Sequence, residues 1–448
     1  IWVDRPAMPE TKATAHPDRL AGQTSFDKRR DIGRQLAEAD QSAMLVTQPE
    51  NIAWLLNIRG NDVPHTPFAL SFGILRAGGR FDWFIDPARI DAKTRRHIGD
   101  KLHIHASDKI SAALGKLKGK VRLEPETTPL WFAAHVKSTE IVHGEDLCTA
   151  AKACKTKAEI KGAKAAHLRD GAALCRFLCW LDAYGRTGKI SEIDAARKAE
   201  AFRAETGKLR DLSFDTISGS GPNGAIVHYR VTHATNRRLR PGDLYLIDSG
   251  GQYADGTTDV TRTVLIEGRP PPRGAIDAFT RVLRGHIALA AARFPTGTNG
   301  MQLDTLARAP LWAAGQDFDH GTGHGVGSYL SVHEGPQRIS KGGMVAMAPG
   351  MIVSNEPGYY ATGRFGIRIE NLQYVRAAKN AGDKHRDMLE FDALTLAPID
   401  RRLIDKSALT EDEKLWLNTY HALVLGKVKP LVDTRTARWL EKACRPIR

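Results

Sequence analysis

Residues 244–266, LYLIDSGGQYADGTTDVTRTVLI, hold two aspartates whose placement constrains the fold more than any other feature of the chain. An apolar run ends in Asp248, a glycine-rich stretch follows, and a β-branched run contains Asp259. A turn centred between Tyr253 and Ala254 sets Asp248 opposite Asp259 in an antiparallel hairpin, with both carboxylates on one side of the sheet. Alternation places Asp259, Thr261 and Thr263 on one face and Val260 and Val264 on the other, which argues against two aspartates merely flanking a solvated turn. Like charges opposed in this way destabilise a sheet unless something positive lies between them, and a metal ion is the obvious candidate.

The same pattern recurs in VSNEPGYYATGRFGIRIENL, residues 353–372. A turn centred on Gly363 opposes Glu356 to Glu370, and Pro357 pushes Glu356 toward extended backbone. Arg368 then shares the face of Glu370, with Ile367 and Ile369 behind. Four carboxylates with one or more histidines make an oxygen-rich site that favours Mn²⁺, Co²⁺ or Fe²⁺ over structural zinc. Four acidic groups also exceed the need of one divalent ion, and two ions roughly 3.5–4 Å apart balance the charge better.

The histidines come from DHGTGHGVGSYLSVHEG, residues 319–335, which contains His320, His324 and His333. Alone, that stretch reads equally as a metal site, a phosphate-cradling loop or a mobile turn. Two nearby motifs are decoys. Gly219-Ser-Gly221-Pro-Asn-Gly224 spells a dinucleotide fingerprint, but Pro222 interrupts it and the strand-like run AIVHY follows where a helix is required. His333-Glu334 begins a zincin motif that HEGPQ does not complete, and Gly321 and Gly323 make a helix through His320 and His324 unexpected.

At 448 residues the chain needs two or three domains. No apolar run approaches the roughly eighteen residues of a membrane helix. Cys148, Cys154, Cys175, Cys179 and Cys444 lack metal or redox spacing and suit a reducing, cytoplasmic compartment. The net charge of +14 invites a nucleic-acid reading, yet Lys and Arg are spread along the whole chain without a recognisable binding motif. Residues 1–22 read as a Pro-rich linker. Beyond them DKRRDIGRQLAEAD reads as a helix, SAMLVTQ as a buried strand and FALSFGILRAGGRFDWFID as a hairpin turning at Gly78–Gly79. A basic helix from about residue 153 opens a second domain, and LTEDEKLWLNTYHALVLGKVKPLV, beyond residue 400, adds a helical extension.

With these motifs in place the chain resembles the pita-bread metallopeptidases, and within them the Xaa-Pro aminopeptidases (aminopeptidase P) of the long, cytosolic type. Motif order and spacing match over about residues 210–375, and NIAWLLNIRGNDVPHTP at 51–67 and the C-terminal extension carry a looser likeness. The resemblance implies an α+β fold. A creatinase-type α/β domain over 23–152 precedes a pita-bread catalytic domain over 153–400, a curved antiparallel sheet with covering helices, and the extension occupies 401–448. IWVDRPAMPE resembles the linker after a further upstream domain, which the chain is expected to lack.

The resemblance further implies that Asp248, Asp259, His324, Glu356 and Glu370 hold two divalent ions, with Asp259 and Glu370 bridging. Manganese is the expected metal, with cobalt or zinc as alternatives. His228, His333 and Glu356 fall on catalytic positions, and His320, Arg368 and Tyr360 on positions near substrate. The implied reaction removes an N-terminal residue that precedes proline, by a hydroxide held between the two ions. A homodimer is implied, with peptides bearing proline second as partners and neither nucleic acid nor membrane. The nearest rival is a prolidase confined to X–Pro dipeptides; methionine aminopeptidase lacks the N-terminal domain and creatinase lacks the metal ligands. A rival of another class is a non-catalytic pita-bread protein that binds nucleic acid.

Overall fold

In the first half of the chain the alternating helical and extended runs form a six-stranded mixed sheet. The computed structural model describes residues 3–4, 7–137, 140–379 and 385–448, and divides into two units, Ile1–Glu159 and Ile160–Arg448. The strands of the first unit run in the order Leu102–His105, Phe81–Phe84, Phe72–Arg76, Ala43–Val46, Lys120–Leu123 and Glu140–His143. The expected hairpin is present: Phe72 pairs with Phe84, and Gly79 takes the positive φ of 79° that its turn requires. Three of the pairings are parallel, which demands helical crossovers. Ile110, Leu114 and Phe132 from those helices cover Leu45, Ile74, Phe84 and Val121. Part of the stretch read as a linker is built into this unit, since Thr14–Ala15 pairs with Ile58–Arg59 and Ala13 and His16 are buried. Its Pro-rich composition hid that short strand.

In the second unit, Ile217–Ser220, Leu244–Ser249 and Val260–Leu265 form one antiparallel sheet. A six-stranded sheet follows, in the order Arg293–Pro295, Met388–Ala393, Asn371–Ala377, Ile352–Asn355, Gly323–Gly325 and Glu334–Ile339. Period-2 alternation sorts the residues. Tyr245, Ile247, Val260 and Val264 pack under Leu174, Phe177 and Leu178 of the helix Lys157–Tyr184 and Ala199 and Phe202 of Glu192–Ala204. Ile367 and Ile369 likewise pack under Phe279, Val282 and Leu283 of Ala275–Ala290. The helix Glu411–Val428 of the C-terminal extension joins that same core through Leu417, Tyr420 and Val424.

Two expectations for the second unit are corrected. In the first hairpin Asp248 pairs with Thr261 and Gln252 with Thr257, so the turn lies one residue later than the sequence suggested and Asp259 is not directly opposite Asp248. The pairing slides by two positions, and because a strand repeats every two residues both aspartates keep their face. AIVHY is not a strand: a 3-10 turn over Gly221–Ala225 continues into irregular backbone. The second hairpin has the expected register. Gly358 pairs with Arg368 and Asn355 with Asn371, which leaves Glu356 and Glu370 opposed where one ladder ends and the next begins.

Gly366 shows how closely these pieces approach, since a Cβ there would stand 1.7 Å from the Gly224 carbonyl oxygen. Gly366→Ala is therefore expected to destabilise the second unit by about 2 kcal/mol or more. Thermal unfolding reads this as a melting temperature several degrees lower, and an unchanged midpoint would contradict the contact.

Candidate metal centre

The polar faces of the two hairpins lock together through threonines. The Glu370 amide donates to the Thr261 carbonyl at 3.2 Å, and Thr261 Oγ1 donates to Glu370 Oε2 at 2.9 Å. Thr263 Oγ1 accepts from the Arg368 amide and donates to its carbonyl, both at 3.1 Å. Arg262, one residue out of phase, reaches the Glu370 carbonyl at 2.5 Å, Asn371 Oδ1 at 2.8 Å and the Ala397 carbonyl at 2.7 Å. Its fork ties the backbone at Glu370 to that at Ala397.

The glycine-rich stretch is held from beneath by the helix Gly300–Trp312. Asp304 accepts from Thr322 Oγ1 at 2.5 Å and from Arg308 Nε at 2.7 Å, and Arg308 also donates to the carbonyls of Phe318 and His320. The Thr322 carbonyl in turn accepts from the Glu356 amide at 2.8 Å. His324 lies on the short strand Gly323–Gly325, where a Cβ at position 323 would meet the Ser354 carbonyl at 2.0 Å, so only glycine admits this approach.

Three overlapping groups of ligand atoms result: Asp248, Asp259 and Glu370; His324, Glu356 and Glu370; and Asp259, His324 and His333, each within 4.8 Å. His324 Nδ1 is 2.9 Å from the Gly325 carbonyl, which makes it the donor and leaves the Nε2 lone pair facing the carboxylates. Nε2 stands 3.5 Å from Asp259 Oδ2 and 3.4 Å from Glu356 Oε1. That is long for a hydrogen bond, but ligands each about 2.1 Å from a shared ion stand roughly 3.4 Å apart.

Electrostatics supports the same reading. Burial, then Asp248 and Glu356, holds Asp259 well above the ordinary carboxylate range. Burial, then Asp259, Asp248 and Glu356, does the same to Glu370, and Glu356 is also raised, by burial first. Asp248 Oδ1 and Asp259 Oδ1 are buried without a hydrogen-bond partner among the described residues. A buried anion in this condition calls for a cation, and the donor set fits divalent ions.

Beside the carboxylates runs a polar strip. Arg368 Nη2 pairs with Asp248 Oδ2 at 2.7 Å, and its Nη1 donates to Tyr360 Oη at 2.6 Å. Tyr360 Oη donates in turn to His320 Nε2 at 2.9 Å, because His320 Nδ1 faces the Gly321 carbonyl at 2.8 Å. Burial, and then Arg368, pushes His320 down to about 3, so it is a neutral imidazole at physiological pH.

The structure thus gathers Asp248, Asp259, His324, His333, Glu356 and Glu370, with Arg368, Tyr360 and His320 alongside. His228 is exposed, close enough for its charge to bear on His320 and His333. Ser354, Arg262, Asp304 and Arg308 were missed. Ser354 Oγ accepts from the His324 amide at 2.9 Å and donates to Glu356 Oε1 at 3.0 Å. Arg262, a cation on the face of Val260 and Val264, and the buried i,i+4 pair Asp304–Arg308 were the available signals.

Residues 161–377 match the family described as metallopeptidase family M24, residues 4–159 the creatinase/prolidase N-terminal domain, and 387–447 the C-terminal region of that peptidase family. A probable Xaa-Pro aminopeptidase P of Laccaria bicolor is 41% identical over 100% of this chain and 71% of its own length. That of Aspergillus fumigatus is 40% identical, over 100% and 71%. A crystal structure of an X-prolyl aminopeptidase from Caenorhabditis elegans, described as a cytosolic enzyme with a di-nuclear active site, superposes with a TM-score of 0.93 at 38% identity, over 100% of this chain and 75% of that one. An Xaa-Pro dipeptidase from Bacillus anthracis superposes at 0.68 with 23% identity, over 84% and 99%, and shares the fold alone. Among the described residues no helix is long and apolar enough to cross a membrane. With its creatinase-type first unit, its paired acidic hairpins and full-length relatives at about 40% identity, this chain belongs to metallopeptidase family M24.

Proposed function

We propose that this chain is a metal-dependent aminopeptidase that hydrolyses the bond between an N-terminal residue and a proline in second position. The carrying observation is the set of overlapping ligand groups in which Asp259, His324 and Glu370 each appear twice, an arrangement suited to two ions that share ligands. The names borne by the full-length relatives support the substrate class. Asp248, Asp259, His324, Glu356 and Glu370 are the residues that would hold two divalent ions, and Mn²⁺ is the proposed metal. A homodimer and a cytoplasmic location belong to the same proposal.

Held by these residues, two divalent ions would lower the pKa of a water and polarise the scissile carbonyl. The protein's own residues do the rest. Glu356, positioned by Ser354, accepts the proton of the attacking water. The X–Pro bond is a tertiary amide whose nitrogen carries no hydrogen, so that nitrogen must be protonated as it leaves; the proton taken up by Glu356 is passed on to it, with the exposed His333 assisting the delivery. His228 donates to the developing oxyanion. The neutral His320, oriented by Tyr360 and Arg368, lines the substrate side. The substrate's free α-amino group would sit beside the carboxylates of the centre, which confines cleavage to the first residue.

Arg-Pro-Pro and an X–Pro dipeptide, assayed after chelation with and without Mn²⁺, test the proposal. Mn²⁺-dependent release of arginine from the tripeptide is expected, whereas cleavage of the dipeptide alone would identify a prolidase. His228→Ala and His333→Ala should each lower kcat by about 10²-fold or more while the metal content stays unchanged. Unchanged turnover in both would refute their roles, and metal loss in His333→Ala would make that residue a ligand. Because the folded-state pKa values of Asp259 and Glu370 lie above the unfolded ones, their contribution to stability is present in acid and lost as pH rises through the raised values. Added Mn²⁺ should therefore raise the melting temperature of the chelated protein more at pH 7.5 than at pH 5. An equal midpoint with and without Mn²⁺ at pH 7.5 would remove the metal centre from the argument.

A further inference from the structure

The edge strand Leu102–His105 of the first unit carries His103 and His105, and alternation turns both imidazoles to one face. The parallel neighbour Phe81–Phe84 sets Asp82 beside His103 and Phe84 beside His105, so the carboxylate lies on that same face. Asp82 Oδ1 is 3.6 Å from His103 Nδ1 and 3.7 Å from His105 Nε2, and the three groups offer ligand atoms all within 4.8 Å of one another. As around His324, these separations are too long for hydrogen bonds and suit atoms gathered about a common centre.

The groups are also held in place. Asp82 is 8% exposed, and Arg76 Nε and Nη2 bind its Oδ2 at 3.2 and 3.0 Å, which leaves Oδ1 turned to the histidines. His105 stacks on Phe84, with ring centroids 5.1 Å apart and planes 23° apart. The imidazoles, 56% and 38% exposed, remain open to an ion from solvent.

We propose that Asp82, His103 and His105 form a second metal site, for a borderline divalent transition ion such as Zn²⁺, Ni²⁺ or Cu²⁺. Two imidazoles and one carboxylate favour such ions over Mn²⁺ or Mg²⁺, the reverse of the preference expected of the carboxylate-rich centre. Three protein ligands leave coordination positions for water. Arg80 Nε, 3.8 Å from Oδ1, is the competing cation and Arg76 adds to it, so the site is weaker than its ligand set alone would make it.

The test titrates Zn²⁺ into the full Mn²⁺-loaded chain and counts total bound metal by mass spectrometry after dialysis. Wild type is expected to hold one more ion than the His103→Ala/His105→Ala double variant, and His103→Ala alone to bind that ion at least about tenfold more weakly. The readout is a difference between variants, so it stands whether or not the carboxylate-rich centre behaves as proposed. Equal uptake by wild type and the double variant would overturn the site. Arg80→Ala leaves all three ligands in place and should tighten Zn²⁺ binding by removing the nearby guanidinium; unchanged or weaker binding would count against the proposal.

Discussion

The mutual repulsion of Asp248, Asp259, Glu356 and Glu370 is the constraint around which the second unit is organised. Two of them keep a buried oxygen without a hydrogen bond, and only one guanidinium, that of Arg368, forms an ion pair with any of the four among the described residues. Buried anions left this way are costly, and an unsupported cluster would splay apart or take up protons. The framework opposes the splaying through main chain rather than through counter-charge. Thr261 and Thr263 bind one hairpin to the other, and Arg262 clamps the carbonyl of Glu370 instead of neutralising its carboxylate. The charge is thereby left for an ion to balance, while the geometry is fixed beforehand.

The same two-residue period that assembles the site also stabilises it. Val260 and Val264, which alternate with Thr261 and Thr263, lie under two helices, and Ile367 and Ile369, which flank Arg368, lie under a third. Each fully buried aliphatic side chain contributes roughly 1.5–3 kcal/mol, which offsets the strain of the acidic face at the positions where it arises. Helix packing and ligand placement are therefore one feature of the strand pattern, and a shift of a single residue would expose the valines and bury the wrong polar groups.

That period explains how much was legible in the sequence. The second hairpin is placed without error because Gly363 takes the positive φ its turn needs and the register continues unbroken from Gly358–Arg368 to Ile352–Tyr374. The first hairpin has two glycines before its turn and one after, so the turn could not be located to the residue, yet the two-position slip preserved both faces. AIVHY looks like a strand because its residues are β-prone, but the turn over Gly221–Ala225 and contacts distant in sequence decide its conformation. The supports of the site were least visible. Asp304 and Arg308 act on Thr322 and His320 across a loop, and no local pattern specifies that distance.

The net charge of +14 now takes a different meaning from the one it suggested alone. Surface lysines and arginines act over about 8 Å at physiological ionic strength before salt screens them. At the buried centre screening is limited, so a small ligand responds to the nearby carboxylates and Arg368 rather than to the total charge. The chain's overall basicity bears on its encounters with other macromolecules, while the local field at the site is set by the four acidic residues, Arg368 and the ions those carboxylates would hold.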